Sequence, residues 1–386
     1  MPLEAYKSYA AAQPSPDQHY AWSSTVSSIL YTDKNCSSIV VPDVLKGIYR
    51  VFEFKDQASK QSFCIFSEIS KGNDEEKYHN YEKGWGLLVV PSTRAAVSCF
   101  VHLSAPFPQA GINTVSQATA AFTGIGAKSL FIPGRNRNAY NKRSKCTVNP
   151  AYNKTSSVHD NIRNWQNRNG GCLPASCAHI QFMGKGASYD SDEQERRRAR
   201  VPVTSHADSI DSIRIATDST SSMHRLMRTP LSCLVLACTR VYNLSPNYSH
   251  FSRLLRNAES STNQILTISN SSGWYGKNPN YSGRRIRDNL RKKCPDWKLS
   301  LPSDSSCNLI GSNNIVGRLL NGVDVSKVCT EPASPDKKKG EFAQLESSPN
   351  MRGKDRHEIW VEVLKQSCPA VNAAGMDIDD TDVWSE

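Results

Sequence analysis

Arg135 and Arg137 flank Asn136 directly after the apolar run Ser129 to Pro133. Alternate positions of an extended turn leave the chain on one side, so both guanidiniums could close on a single carboxylate or phosphate. A solvated basic turn is the plain alternative. Glu346 ends a second apolar run, Glu341 to Glu346, and Arg352 follows six residues later. A carboxylate at a strand end facing a cleft suits general-base work on a water. A salt bridge with Arg352 or a charge at a helix N-terminus would account for Glu346 equally well. His159 precedes Asp160 and Asn161 near the start of a short predicted helix. An imidazole there could ligate a metal or move a proton, or simply cap the helix.

The elements that must carry these residues read as strand, turn, helix, strand, turn. Val97 to Leu103 is apolar and β-branched, and Ala105-Pro106-Phe107-Pro108 stops it because proline cannot donate to a sheet ladder. Thr114 to Ala127 has helical spacing, with Asn113 or Thr114 as its cap, and Ser129 to Pro133 is the next strand. Strand, helix and strand make a βαβ unit, and open α/β sheets bind ligands outside the carboxyl ends of their strands. Further strands are predicted over 48–54, 62–67, 86–90, 178–182, 231–237 and 341–346. Helices are predicted over 158–169, 250–258, 286–292 and 355–366. The pattern is that of an α/β protein with a mixed sheet.

Five segments follow from composition. Residues 1–30 read as a loose N-terminal arm, 31–187 as the first part of the α/β domain, and 188–225 as a polar, disordered insertion. Residues 226–370 read as the second part of that domain and 371–386 as an acidic tail. No run of eighteen apolar residues occurs, so no membrane partner is expected. The net charge is +11, with basic clusters at 135–145, 196–200, 284–293 and 337–339. Such clusters bind nucleic acid or anionic glycans, or coat solvated loops; no nucleic-acid motif accompanies these. Twelve scattered cysteines without a CxxC pair argue against a zinc finger and for a secreted, disulfide-bearing protein. Residues 1–24 lack a basic stretch leading into an apolar one, so no signal peptide is legible. Six Asn-x-Ser/Thr sequons begin at Asn35, Asn153, Asn243, Asn247, Asn270 and Asn280. Chance gives about as many in a chain this rich in Asn, Ser and Thr.

Several pieces, in order over roughly 47–366, carry a family resemblance. They are Lys83-Gly-Trp-Gly86, Ala105-Pro-Phe-Pro108, Gly134-Arg-Asn-Arg-Asn-Ala139, Gln181-Phe-Met-Gly184 and Glu346-Ser-Ser-Pro-Asn-Met-Arg352. Together they resemble microbial and fungal proteins related to N-formylglutamate amidohydrolases and, more distantly, to zinc carboxypeptidases. The resemblance implies a three-layer α/β/α, phosphorylase/hydrolase-like fold with one zinc ion, and a glutamate activating a water on a polarised carbonyl. It places metal ligands where this chain has Phe107, Gly111 or Asn113, Asn136, Met183 and Gln344, while His159, Glu346, Arg135, Arg137 and Arg352 match. Phenylalanine and methionine cannot replace imidazole on zinc. The combined expectation is a secreted pseudoenzyme without cofactor that binds a small acidic or amide ligand. Two alternatives stand beside it. One is an active zinc-dependent amidohydrolase with another ligand set, including His102 or His179; the other is a basic module for nucleic acid or anionic glycan. Neither substrate nor oligomeric state is legible.

Overall fold

A computed structural model describes residues 11–57, 59–69, 82–108, 111–134, 161–164, 177–184, 262–266, 278–301, 314–334, 337 and 339–368. Among them nine strands form one mixed sheet in the order β1-β2-β3-β5-β4-β6-β9-β7-β8. The strands are β1 (Tyr49–Lys55), β2 (Ser62–Glu68), β3 (Leu87–Pro91), β4 (Cys99–Ser104), β5 (Ala127–Ile132), β6 (Cys177–Gly184), β7 (Thr262–Leu266), β8 (Lys298–Ser300) and β9 (Phe342–Ser347). The block β5-β4-β6-β9 is parallel, and antiparallel pairs flank it at β3–β5 and β7–β9. The helices are α1 (Pro16–Tyr31), α2 (Thr114–Ile125), α3 (Ser282–Lys293), α4 (Ile315–Leu320) and α5 (His357–Ser367).

Alternation along β2 divides the core. Phe63 and Ile65 join one apolar cluster, with Ala118 and Phe122 of α2, Ile286 and Leu290 of α3, and Trp360 and Leu364 of α5. Cys64 and Phe66 join another, with Trp22, Val26 and Ile29 of α1. Successive strand residues point to opposite faces, so helices cover the sheet on both sides. Ile315, Val316 and Leu320 of α4 pack on Phe342 of β9 in a third cluster.

The expected strands β1 to β6 and β9, and helices α2 and α5, are present within two residues of the expected ends, and α3 begins four residues before its expected start. Residues 16–30, expected to belong to a loose arm, lie in α1 instead. Ser15 and Gln18 make a capping box, Pro16 occupies the first turn, and Trp22, Val26, Ile29 and Leu30 bury one face. The Trp22 ring lies 5.9 Å from Phe66 and 6.3 Å from Tyr49, which fastens the helix to β1 and β2. Strands β7 and β8 and the short α4 were not expected. The segments 188–225, 231–237, 250–258 and 371–386 lie outside the described residues. No helix among the described residues is long and apolar enough to cross a membrane.

Cys36 and Cys64 form a disulfide that ties the turn after α1 to β2. Cys177 and Cys329 are also disulfide-bonded, whereas Cys99, Cys294 and Cys368 are buried free thiols.

Candidate functional site

The chain runs from β4 through α2 to β5 on one side and returns to β6 on the other, so the sheet order β5-β4-β6 marks a topological switch. Crevices at such switches, outside the carboxyl ends of the strands, are where open α/β sheets take ligands. Ser104, Ile132, Gly184 and Ser347 end the four parallel strands at this edge. Strand β2 is antiparallel to β3, which is antiparallel to β5, so Glu68 ends β2 at the same edge.

Arg352 is the most constrained charge there. A short helical turn, Pro349–Met351, follows β9 and delivers it back over the sheet end. Its Nη1 donates to the Ile112 carbonyl at 2.6 Å and its Nε to the Ser348 carbonyl at 3.3 Å. The guanidinium presses on Gly184, where any Cβ would collide with Nη1. Arg352 thereby joins the loop after β4, the end of β6 and the turn after β9. It is 3% exposed, and burial draws its pKa down to about 10. It stays charged at neutral pH, and no carboxylate among the described residues pairs with it. In particular, the ion pair considered between Glu346 and Arg352 does not form.

Glu346 stands at the same edge, on the face of the sheet that carries Gln344. Gln344 Nε2 donates to its carboxylate at 2.9 Å. Asn314 Nδ2 donates at 2.8 Å to Gln344 Oε1 and, again at 2.8 Å, to Gln181 Oε1 of β6. Asn314 Oδ1 accepts the Val316 and Gly317 N–H groups, capping α4. One side chain thus braces β6, β9 and a helix start. Alternation places His102 and Ser104 of β4, and His179 and Gln181 of β6, on this same face. Register pairs His102 with His179 and Ser104 with Gln181. Ser104 is 1% exposed, and its hydroxyl has no hydrogen-bond partner among the described residues.

The zinc centre implied by the resemblance can be tested on these residues. Met183 is half-buried beside Glu346 in register, Gln344 is committed to its amide relay, and Phe107 offers no donor. His102 lies two residues and His179 five residues before the ends of their strands, stacked at 5.0 Å, with His102 Nδ1 against Ser129 Oγ at 2.7 Å. Among the described residues no three His, Cys, Asp or Glu side chains converge on one point. These groups do not fit a zinc ion, whose catalytic sites need three protein donors and an open position.

Arg135, Arg137 and His159 lie outside the described residues. Gly134, which precedes the arginines, packs on the backbone of Gly84 so closely that a Cβ would clash. Gly84 is itself pinned, because Glu68 accepts the Lys83 and Gly84 N–H groups at 2.6 Å each. Glu68 escaped notice in the sequence because its partners are backbone groups fifteen and sixteen residues away. Asn314 escaped for a similar reason, although Asn314 before an apolar run is a legible helix cap.

The basic cluster 284–293 is helix α3, and most of its cations are engaged inside the fold. Arg284 and Arg287 pair with Asp288, Arg291 holds the Leu299 carbonyl, Arg285 the Ser367 carbonyl, and Lys293 pairs with Glu362. The cluster clamps α3 to α5 and β8 and does not present a free cationic stripe.

No family model, no curated protein and no solved structure matches the chain.

Proposed function

We propose that the protein is a secreted pseudoenzyme that binds a small acidic or amide ligand at the carboxyl edge of its parallel strands, without metal-dependent turnover. The observation that carries this reading is the Arg352 guanidinium, buried at the switch point with no counter-anion among the described residues. A buried charge without an opposite charge is costly, and a ligand carboxylate would offset that cost. The unpartnered Ser104 hydroxyl at the same edge supports a polar occupant. Arg135 and Arg137, next in sequence after Gly134 at this edge, are the further cations of the reading. The ligand set unfit for zinc favours binding over hydrolysis, and the disulfides favour an oxidising compartment.

Calorimetric titration of the full chain with glutarate, N-acetylglutamate and N-acetylglutamine tests the proposal, with metal content measured on the same preparation. The expected result is saturable binding of at least one probe, weakened at least tenfold in the Arg135→Ala/Arg137→Ala double variant, with no stoichiometric metal. Affinity unchanged in the double variant, or no binding by any probe, removes the reading. About one zinc per chain moves an active amidohydrolase to first place.

A further inference from the structure

We infer that Asn35 carries an N-linked oligosaccharide. The inference rests on the secretory part of the reading above, and not on the ligand site. Asn35-Cys36-Ser37 is an Asn-x-Ser sequon in the turn between α1 and β1. Asn35 and Ser37 are both exposed. Asn35 Oδ1 accepts the Ser37 hydroxyl at 2.7 Å and the Ser38 N–H at 3.2 Å, so the carboxamide is held through its oxygen. Its Nδ2 makes no hydrogen bond to a described residue and is the atom to be substituted. Two of the exposed large apolar side chains, Val40 (81%) and Val44 (46%), follow within nine residues, in a stretch that a glycan would shield.

The other described sequon makes the contrast. Asn280 is exposed too, but the hydroxyl of Ser282 is buried and donates to the Gly340 carbonyl at 2.8 Å. Folding therefore withdraws the Asn280 sequon and leaves that of Asn35 open. Synthesis also leaves time for transfer at Asn35. The disulfide partner of Cys36 lies 28 residues further on, so the turn is unlocked for the seconds needed to synthesise them. The donor is a lipid-pyrophosphate-linked oligosaccharide of the secretory pathway. A bond forms from Asn35 Nδ2 to C1 of the first sugar, and the bond from C1 to the pyrophosphate oxygen breaks. The lipid pyrophosphate leaves with that electron pair and Nδ2 loses one proton.

The test places the full chain behind a cleavable leader in a eukaryotic secretory host, so entry does not depend on the chain's own start. Secreted protein and any retained in the lumen are treated with peptide N-glycosidase in heavy-oxygen water and mapped by mass spectrometry. The expected result is heavy aspartate at position 35 and loss of one glycan mass in Ser37→Ala. Asn35→Asp keeps the oxygen that accepts the Ser38 N–H, and serves as a folded, unglycosylated reference. Unmodified Asn35 in chains that have formed the Cys36–Cys64 disulfide overturns the inference, whatever the other sequons carry. The ligand reading is untouched by that outcome, since its readout is the arginine-dependent affinity.

Discussion

The guanidinium of Arg352 lies against Gly184, filling the space that any larger residue at the end of β6 would need. The same guanidinium holds the Ile112 carbonyl, so its position is shared by three chain segments. Gly184→Ala must push it off that carbonyl or shift the backbone of Gly111, which lies on the other side of the same space. Overpacking of this kind costs about 1–3 kcal/mol. We expect the urea midpoint to fall accordingly, and the affinity for the acidic probes to fall with it. A variant as stable as the parent would show that Arg352 moves aside freely, and would weaken its role as a fixed anion anchor.

Asn314 does two jobs that substitution can separate. Its oxygen caps α4 and its amide nitrogen ties Gln181 to Gln344. Asn314→Ala removes both, at a cost of about 2 kcal/mol. Asn314→Asp keeps the cap and turns the tie into a repulsion, because both glutamine oxygens face that nitrogen. Chemical denaturation of the two variants should rank alanine below aspartate. Equal losses would mean that repulsion from the two glutamine oxygens offsets the whole of the retained cap.

The legible parts of the sequence were those with a strong period. The strand β4, helix α2 and strand β5 stand out because apolar residues recur at spacings of two and then of three to four, with prolines at the breaks. α1 carried a signal too: Ser15, Pro16 and Gln18 spell a capping box, followed by Trp22, Val26 and Ile29 on one face. Polar neighbours such as Gln13, His19 and Ser23 masked it. Strand β7, with Thr262, Asn263 and Gln264 in its first three places, has little apolar content; sheet neighbours, not propensity, make it a strand. At the site, Glu346 and Arg352 were legible as polar residues after a strand. Their environment was not, because the Ile112 carbonyl meets Arg352 from 240 residues away and the Asn314 amide holds Gln344, the partner of Glu346, from 30 residues away. Long-range partners leave no local pattern.

Glu68 offers a check on how the edge is held together. Its carboxylate accepts two backbone N–H groups, those of Lys83 and Gly84, in a largely buried setting. Glu68→Ala leaves both donors unsatisfied, at roughly 1–3 kcal/mol for each buried group. Because Gly84 packs on Gly134, the loss should also loosen Gly134 at the end of β5. Hydrogen exchange should quicken at Lys83 and Gly84, and acidic-probe affinity should drop even though Glu68 need not touch the ligand. Unchanged exchange at both amides would contradict the anchoring role.

Two buried charges predict the pH dependence of stability. Lys128 is 2% exposed, and burial, with a smaller push from Arg94 against a pull from Asp33, lowers its pKa from 10.5 to about 7. The unfolded chain then binds a proton that the native state has released, so between pH 7 and about 10 stability rises with pH. Its full slope is about 1.4 kcal/mol per pH unit. Glu341 has the opposite sense: burial raises its pKa from 4.5 to about 7, against a smaller opposing effect of Lys339. The native state holds a proton that the unfolded chain has lost, so its contribution is present below pH 4.5 and disappears as pH rises through 7. Together the two residues give a minimum of stability near pH 7. Urea midpoints measured from pH 5 to 9 should trace it. Lys128→Met should flatten the alkaline limb and Glu341→Gln the acidic one. An alkaline rise that persists in Lys128→Met would place its origin in a group other than Lys128.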